Sequence, residues 1–489
     1  MTSVRADGQP LGLPSTDENT EPLPDPAETP AARSKTRDLG ALALVAVVLL
    51  CGSVLFLGFL NKDRCTGPVY DSLGRTENFL KHAYQDVCYS DIQYLWVGRD
   101  INKHVFPYVD GGITKTGELT GGSVEYPVLT GMLMWLGAHF AHNDHEFLLY
   151  SALLLAPFGL FVAWALGRLG RWRALIWALG PPLVLYAFHN WDLAAVGCAV
   201  GAVYVLHRGW GRKGRNRPLV QRATFASVLL GLGFAVKLYP AIFILPLMLY
   251  VLTGGFGGRE LPEGKRRNVT GMIRVALAAI GAALAVNLPF MVAGFRGWKA
   301  SFTFQELRQV DITTNSIWFW AFRPESEPAD VKFQHLVGVL SPLTILVSFA
   351  VACTIGWWRF RKEGSYPWMA VSAAMLCGFL LLHKVHSPQY TLWLVPMFVL
   401  VRVRWTWIVA YGIADIALGV GIFRYLYDFA FLHRSGIYAG FAEQSTVIGI
   451  WGQAALLVCL FFVFANSKST VDEIEELSSP RRIGGPAPA

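Results

Sequence analysis

The chain has 489 residues, of which 53% are hydrophobic and 16% charged, and its mean hydropathy is +0.40. This composition excludes an ordinary soluble domain and indicates that much of the chain lies in a bilayer. The net charge of +8 could indicate nucleic acid, but the basic residues form short clusters between apolar runs, which is a pattern of membrane topology. We therefore predict membrane lipids, and no nucleic acid, as partners.

The chain begins with a polar segment, residues 1–38, whose composition predicts a disordered tail. The first apolar run starts near Leu39 without a small-residue cleavage site after it, so a retained helix is expected. A transmembrane domain is predicted over 39–465 and a second disordered tail over 466–489. The fold class is an all-α polytopic membrane protein with about twelve spans, at 39–60, 147–167, 174–188, 193–207, 223–237, 240–252, 272–294, 335–357, 368–383, 390–402, 405–423 and 446–464.

Basic residues set the predicted orientation. Arg33, Lys35 and Arg37 precede the first span and place the N-terminus in the cytoplasm. The later basic clusters, at 168–173, 208–217, 265–267, 359–362 and 402–404, are all cytoplasmic only if the apolar stretch 127–141 does not cross. That stretch is short for a span and fits a helix lying at the interface. Residues 61–146 then form a large first extracytoplasmic loop with interfacial helices, and both termini are cytoplasmic.

The same count of membrane crossings places five polar clusters on the extracytoplasmic face. They are Asp91 with Glu125, the run 189–192, the run 237–240, the loop with Arg308, Asp311 and Asn315, and the run 383–390. The cytoplasmic loops are short and merely basic. We therefore expect any chemistry to take place outside.

Two of the seven cysteines, Cys65 and Cys88, lie in the large polar loop, whereas the others lie in apolar segments and fit simple packing roles. An oxidising compartment would permit a bridge between the two, and the sequence leaves both the bridged and the free form open. No CxxC and no metal-type Cys/His spacing occurs, so no metal site is expected.

Short motifs connect the chain to a known family. They are Cys88-Tyr89-Ser90-Asp91-Ile92, Glu125-Tyr126-Pro127, Asn190, Lys237-Leu238-Tyr239-Pro240 and the run 384–390. With these motifs the sequence resembles the GT-C superfamily of membrane glycosyltransferases, and more closely the actinobacterial proteins of glycosyltransferase family 87, which include polyprenyl-phosphate-mannose-dependent mannosyltransferases. The resemblance implies a GT-C-like helical bundle and an acidic catalytic base in the first extracytoplasmic loop, where Asp91 stands in the matching place.

The residue types suit this chemistry. Sugar transfer needs a carboxylate to take the proton of the acceptor hydroxyl, and cations around the leaving phosphate. We assign the first role to Asp91 and the donor phosphate to Lys384, His386, Lys237 and Arg308. Candidate substrate-binding residues are Glu125, Tyr126, Asn190, Asp192, Asp311, Asn315, Gln389 and Tyr390.

Structural roles compete with several of these assignments. Asp91 could cap a helix or pair with a loop cation, Lys237 could be a snorkelling lysine at a helix end, and Asp192 could cap the helix that it begins. The segment 308–318 could be an ordinary solvated loop.

The predicted function is an inverting, polyprenyl-phosphate-sugar-dependent hexosyltransferase of the plasma membrane. It would move a hexose, with mannose favoured by the resemblance, to a lipid-linked or polysaccharide acceptor of the cell envelope. No cofactor is expected, because neither a Gly-rich phosphate loop nor an Asp-x-Asp motif occurs. The alternatives are an arabinofuranosyltransferase of similar architecture, a lipid or glycolipid transporter or flippase, and a non-catalytic envelope scaffold.

Overall fold

The computed structural model describes residues 39–209, 217–322, 330–436 and 440–477. The predicted N-terminal tail, the end of the C-terminal tail and the basic residues within 210–216 lie outside these ranges. Across the described residues the first half of the chain contains helices α1 (Ala41–Asp63), α2 (Phe79–Gln85), α3 (Asp91–Gly98), α4 (Val128–Ala138), α5 (Asp144–Gly170), α6 (Leu175–Ala178), α7 (Pro181–Tyr186), α8 (Asp192–Arg208), α9 (Leu219–Phe234) and α10 (Ile244–Leu252).

The second half continues with α11 (Val269–Ala293), α12 (Phe295–Leu307), α13 (Ile317–Phe322), α14 (Val331–Glu363), α15 (Trp368–Leu382), α16 (Thr391–Leu400), α17 (Trp405–Phe431), α18 (Ala442–Asn466) and α19 (Thr470–Leu477). Each of the twelve predicted spans falls on one or more of these helices. Seven helical segments of the described chain are long and apolar enough to cross a membrane on their own. The all-helical polytopic class is thus confirmed.

The burial of the helices separates an inner group from an outer one. Every residue of α16 is buried, and α8 and α15 are buried almost all round, as expected for apolar helices at the centre of a bundle. In contrast, α11 and α14 expose rows of leucines such as Leu277, Leu284 and Leu343, a pattern that suits contact with lipid. The inner helices begin or end at the polar runs 189–192 and 383–390, so those runs meet near the bundle centre.

The large loop between α1 and α5 carries α2, α3 and α4 and a small hairpin whose two strands have two residues each. Strands β1 (Gly112–Ile113) and β2 (Leu119–Thr120) are antiparallel, with Gly112 opposite Thr120. Cys65 and Cys88 are joined in a disulfide, with their Cα atoms 6.3 Å apart. The start of α4 is fixed to the end of α9, because Leu129 N–H donates to the Ala235 carbonyl at 2.9 Å and the Thr130 hydroxyl donates to the Val236 carbonyl at 2.6 Å.

The predicted C-terminal tail is wrong over its first part, since residues 470–477 form α19. Ser469 and Asp472 cap the start of this helix through mutual hydrogen bonds. Val471 is fully buried and Ile474 nearly so, and the helix packs against α5, α8 and α16. The segment looked polar in the sequence because it has few apolar residues, of which Val471 and Ile474 are buried against the bundle.

Candidate active site

A cavity of about 560 Å³ brings together side chains from all five polar clusters. It lies where the large loop meets the ends of the inner helices. The predicted site residues that line it are Asp91, Glu125, Tyr126, Asn190, Lys237, Arg308, Asp311, Asn315, Lys384, Gln389 and Tyr390. The other two predicted residues, Asp192 and His386, do not line it.

The carboxylate of Asp91 is held by two side chains and remains 20% exposed to the cavity. Its Oδ1 accepts a hydrogen bond from the Tyr89 hydroxyl at 3.0 Å, and its Oδ2 accepts one from the Asn190 amide at 2.7 Å. The same amide donates to the Tyr126 hydroxyl at 2.7 Å. Both oxygens are oriented, and among the described residues no lysine or arginine lies within ion-pair distance of them, although His189 Nε2 lies 4.0 Å from Oδ2. The carboxylate is therefore prepared to accept a proton from a ligand.

Backbone contacts explain why Asp91 stands here. Asp91 is the first residue of α3, and its N–H donates to the His189 carbonyl at 2.8 Å. The Ser90 hydroxyl donates to the Phe188 carbonyl at 2.7 Å. These bonds fasten the start of α3 to the segment between α7 and α8, which presents Asn190. The side chain makes no bond to a backbone N–H of its own helix, so the helix-cap interpretation of Asp91 does not apply.

Glu125 is committed to an ion pair that the sequence did not reveal. Its carboxylate accepts from Arg99 Nε at 2.7 Å and from the Arg99 terminal nitrogen at 3.2 Å. Both side chains are largely buried, with exposed fractions of 10% and 19%. The bidentate guanidinium occupies both carboxylate oxygens of Glu125, which gives this residue a role in shaping the cavity wall.

Lys237 lies between the cavity and a buried acid. Its ammonium is 4.1 Å from the centroid of the Tyr126 ring and 3.9 Å from Asp192 Oδ1. Burial lowers the pKa of Lys237, and the nearby carboxylates of Asp192, Asp91 and Glu125 oppose that shift. The cation is therefore anchored beside Asp91 rather than snorkelling to the surface.

The prediction that Asp192 binds substrate is contradicted by its position. Asp192 is fully buried behind Lys237 and accepts from Trp393 Nε1 at 2.8 Å. It forms no side-chain cap on α8 either. Its negative charge stabilises the ammonium of Lys237 at the cavity wall.

The prediction for His386 also needs correction. Its ring nitrogens contact the Leu380 carbonyl and Gln453 Oε1, each at 2.9 Å, and the side chain points away from the cavity. Burial lowers the pKa of His386 and favours the neutral ring. A neutral histidine with both nitrogens occupied cannot neutralise a phosphate, so its role here is to hold the run 383–390 in place.

Lys384 and Arg308 supply the second cationic part of the cavity. The Lys384 ammonium donates to the carbonyls of Glu306 and Arg308, at 3.2 and 2.9 Å, and so closes the C-terminal end of α12. Burial, followed by the positive charge of Arg308, lowers the pKa of Lys384. Arg308 itself lines the cavity at the end of that helix.

The remaining predicted residues differ in what they offer a ligand. Asp311 is occupied in a turn, since its carboxylate accepts from the N–H and hydroxyl of Thr313 at 2.8 and 2.6 Å. Asn315 and Gln389 are almost fully buried, and the side-chain oxygen of each lacks a protein partner. Tyr390 stacks on Trp393 with the ring centroids 3.9 Å apart. Among the described residues neither of these two amide oxygens has a hydrogen-bond partner, and both oxygen atoms are themselves buried.

Sequence reasoning missed three further cavity residues of interest, Arg99, His189 and Tyr89. Burial, followed by the charges of Lys62 and Lys237, lowers the pKa of His189 well below its usual value, so that the ring is neutral. Tyr89 and His189 belong to sequence runs that were singled out, but the direction of their side chains could not be predicted, and Arg99 belongs to no such run. Within the described ranges, no three His, Cys, Asp or Glu side chains have the geometry to hold a metal ion.

The model of glycosyltransferase family 87 matches residues 125–388, which is more than half of the chain. The chain belongs to glycosyltransferase family 87. The matched region includes Asn190, Lys237 and Lys384 but not Asp91. No curated protein sequence matches the family 87 chain significantly.

Two solved structures are similar to the chain at low sequence identity. One is the apo crystal structure of the Archaeoglobus fulgidus oligosaccharyltransferase, with 12% identity and a TM-score of 0.38 over 86% of this chain. The other is the oligosaccharyltransferase AglB from the same organism in complex with an inhibitory peptide and a dolichol-phosphate, with 13% identity and a TM-score of 0.34 over 86% of this chain. The family 87 chain spans only 55% and 56% of the length of these two proteins.

Proposed function

We propose that the protein is an inverting glycosyltransferase that uses a polyprenyl-phosphate sugar, with mannose as the favoured hexose, and a lipid-linked or cell-envelope glycan as acceptor. The observation that carries the proposal is the place of Asp91. Its oriented and partly exposed carboxylate shares one cavity with the cations Lys237, Arg308 and Lys384. A proton acceptor beside an anion site is what direct transfer from a sugar phosphate requires.

The proposed reaction is a single displacement. The acceptor hydroxyl oxygen bonds to the anomeric carbon while the bond from that carbon to the phosphate oxygen breaks. The electron pair of the broken bond stays on the polyprenyl phosphate, and the hydroxyl proton passes to Asp91. Attack from the side opposite the phosphate inverts the anomeric configuration.

The cations would act on the leaving group. Negative charge grows on the phosphate as the bond breaks. Positioned ammonium and guanidinium groups therefore stabilise the transition state more than the ground state. Arg308 and Lys384 lie on neighbouring segments of the cavity wall. We assign the phosphate to this pair, with Lys237 nearer to the reacting carbon and Asp91.

Residue positions also support an extracytoplasmic reaction. Every cluster that the positive-inside rule assigns to the outer face contributes to the cavity. A donor carried on a lipid would present its head group at this surface, so the proposed site and the proposed substrate lie on the same side of the membrane.

The test uses purified protein in nanodiscs with radiolabelled polyprenyl-phosphate mannose, glucose or arabinofuranose and an envelope lipid extract. We expect transfer from the mannose donor, and at least ~100-fold slower transfer by Asp91→Asn with donor binding retained. Asp91→Glu should be partly active. Asp86→Asn is the matched control, because Asp86 is exposed at the end of α2 and does not line the cavity. Near-parental transfer by a folded Asp91→Asn protein would overturn the proposed role of Asp91.

A further inference from the structure

The two sides of the cavity differ in chemistry. One side carries the cations assigned above. The other carries four aromatic rings, here called the aromatic wall and formed by Tyr84, Tyr89, Tyr94 and Phe423. The rings come from α2, from the residue pair before α3, from α3 and from α17, so the large loop and a membrane helix build the wall together.

The rings form a continuous surface centred on Tyr89. The centroid of Tyr89 lies 5.6 Å from that of Tyr84, 5.9 Å from that of Tyr94 and 5.4 Å from that of Phe423. The planes of Tyr89 and Phe423 differ by only 24°, and those of Tyr84 and Phe423 by 22°. Because these planes are close to parallel, Tyr84, Tyr89 and Phe423 stack on one another and support Tyr94, which is 38% exposed.

The hydroxyls of the wall are available to a ligand. Within the described residues, neither the Tyr84 nor the Tyr94 hydroxyl has a hydrogen-bond partner, and Tyr94 is 38% exposed. Tyrosine combines an apolar body with one polar group that normally finds a partner when it is covered. A ligand that covers this wall should therefore offer both an apolar face and hydroxyl groups.

Asp91 marks the border between the two sides. One carboxylate oxygen is held by Tyr89, a member of the aromatic wall. The other is held by Asn190, whose amide also bonds to Tyr126, and the Tyr126 ring carries the Lys237 ammonium. A molecule on the wall would thus lie beside the Asp91 oxygen that Tyr89 holds.

We propose that the aromatic wall is the acceptor subsite and binds the terminal pyranose of a glycan through the C–H face of its ring. This inference rests on the proposed function. Pyranose C–H groups carry partial positive charge and suit the negative face of an aromatic ring, while the sugar hydroxyls reach Tyr84, Tyr94 and Asp91. An acyl chain on this surface would leave the hydroxyls of Tyr84 and Tyr94 desolvated without partners, which is costly.

The test measures sugar binding without any transfer. The protein in nanodiscs is mixed with the methyl pyranosides of mannose, glucose and galactose, and saturation-transfer NMR records which sugar protons contact the protein. We expect at least one pyranoside to receive saturation on the C–H protons of one ring face. Tyr94→Leu and Phe423→Ala should reduce the signal at least fivefold.

Controls separate binding from folding. Tyr427→Leu changes a tyrosine on α17, one turn from Phe423, that does not line the cavity, and it should retain the full signal. Tyr94→Leu removes a partly exposed side chain, so it should fold even if Phe423→Ala does not. Saturation of no pyranoside, or equal saturation in Tyr94→Leu and the parent, would overturn the inference.

The result is distinguishable from failure of the proposed function. A protein that transfers sugar but shows no wall-dependent pyranoside binding would retain the proposed function and lose the subsite. A protein that binds pyranosides at the wall but transfers nothing from any donor would retain the subsite and lose the proposed function.

Discussion

The Asn190 amide donates to Oδ2 of Asp91 at 2.7 Å, although 99 residues separate the two in the chain. This bond joins the first loop to the start of an inner helix, and it fixes the direction in which the carboxylate points. The proposed base therefore depends on a residue within the region that the family model matches, while the base itself lies outside that region.

Asn190→Ala should slow transfer by roughly 10–100-fold, because a hydrogen bond to a charged group contributes about 1.5–3 kcal/mol. The Asp91 carboxylate would keep only the Tyr89 contact and lose its orientation. Initial rates at saturating donor and acceptor test this. The control is Asn102→Ala. Asn102 lies in the first loop, as Asp91 does, but away from the cavity, and this variant should transfer at the parental rate. Equal rates for the two variants would contradict the positioning role.

The Arg99–Glu125 ion pair should affect stability more than proton transfer. Arg99→Met leaves a largely buried carboxylate without its partner and should lower the free energy of unfolding by about 3 kcal/mol. The double variant Arg99→Met with Glu125→Gln should recover most of this loss. Thermal or denaturant unfolding in detergent measures both. If Glu125→Gln abolished transfer in a protein of parental stability, Glu125 rather than Asp91 would be the acid to consider as base.

Arg308 and His386 should respond differently to substitution. Arg308→Gln removes a cation that faces the cavity, so the donor concentration for half-maximal rate should rise roughly 10–100-fold without a change in melting temperature. His386→Gln disturbs a buried contact with Gln453 and should lower the melting temperature while the donor dependence stays parental. The reverse pattern would return His386 to the phosphate site.

The free energy of unfolding should decrease in mild acid, because His383 and His386 in the run 383–390, and His189, are buried in their neutral form. Burial lowers the pKa of His383 from its ordinary 6.5 to about 4, and shifts His189 and His386 in the same direction. Below pH 6.5 the unfolded chain takes up protons that the folded protein does not, so the free energy of unfolding decreases from about pH 6.5 towards pH 4. Above pH 6.5 these groups contribute no pH dependence.

Melting temperatures at pH 7.5, 6 and 5 test this expectation. His383→Asn should lose less stability than the parent over that interval, because one of the depressed groups is gone. An equal decrease in the two proteins would show that His383 does not contribute to the acid sensitivity.

Membrane topology can be tested with single cysteines at positions 115 and 263 in a background lacking the five unpaired cysteines. Lys115 lies near the loop hairpin and Glu263 in the basic segment between α10 and α11, and both are exposed. An impermeant maleimide added to intact cells should label position 115 only. Labelling of position 263 alone, or of both equally, would reverse or abolish the predicted orientation.

Sequence alone could predict the helices and their common polar face, because apolar runs and basic clusters are local signals. It could not predict that Arg99 pairs with Glu125 or that His386 turns towards Gln453, since side-chain direction depends on neighbours far away in the chain. The same limit applies to α19. Its two buried apolar residues, Val471 and Ile474, suffice to dock the helix once the surface of the bundle is present.

The docking of α19 completes the bundle with a helix that is synthesised after the helices it contacts. The helix contacts α5 and α8 from the first half of the chain and α16 from the second, and Glu473 pairs with Arg402 at 2.6 Å. Residues 470–477 follow the other described helices in the chain, so these contacts form only after those helices have been synthesised. A chain cut short before Thr470 would expose the apolar surface that receives Val471 and Ile474, and proteolytic quality control could recognise it as unfinished.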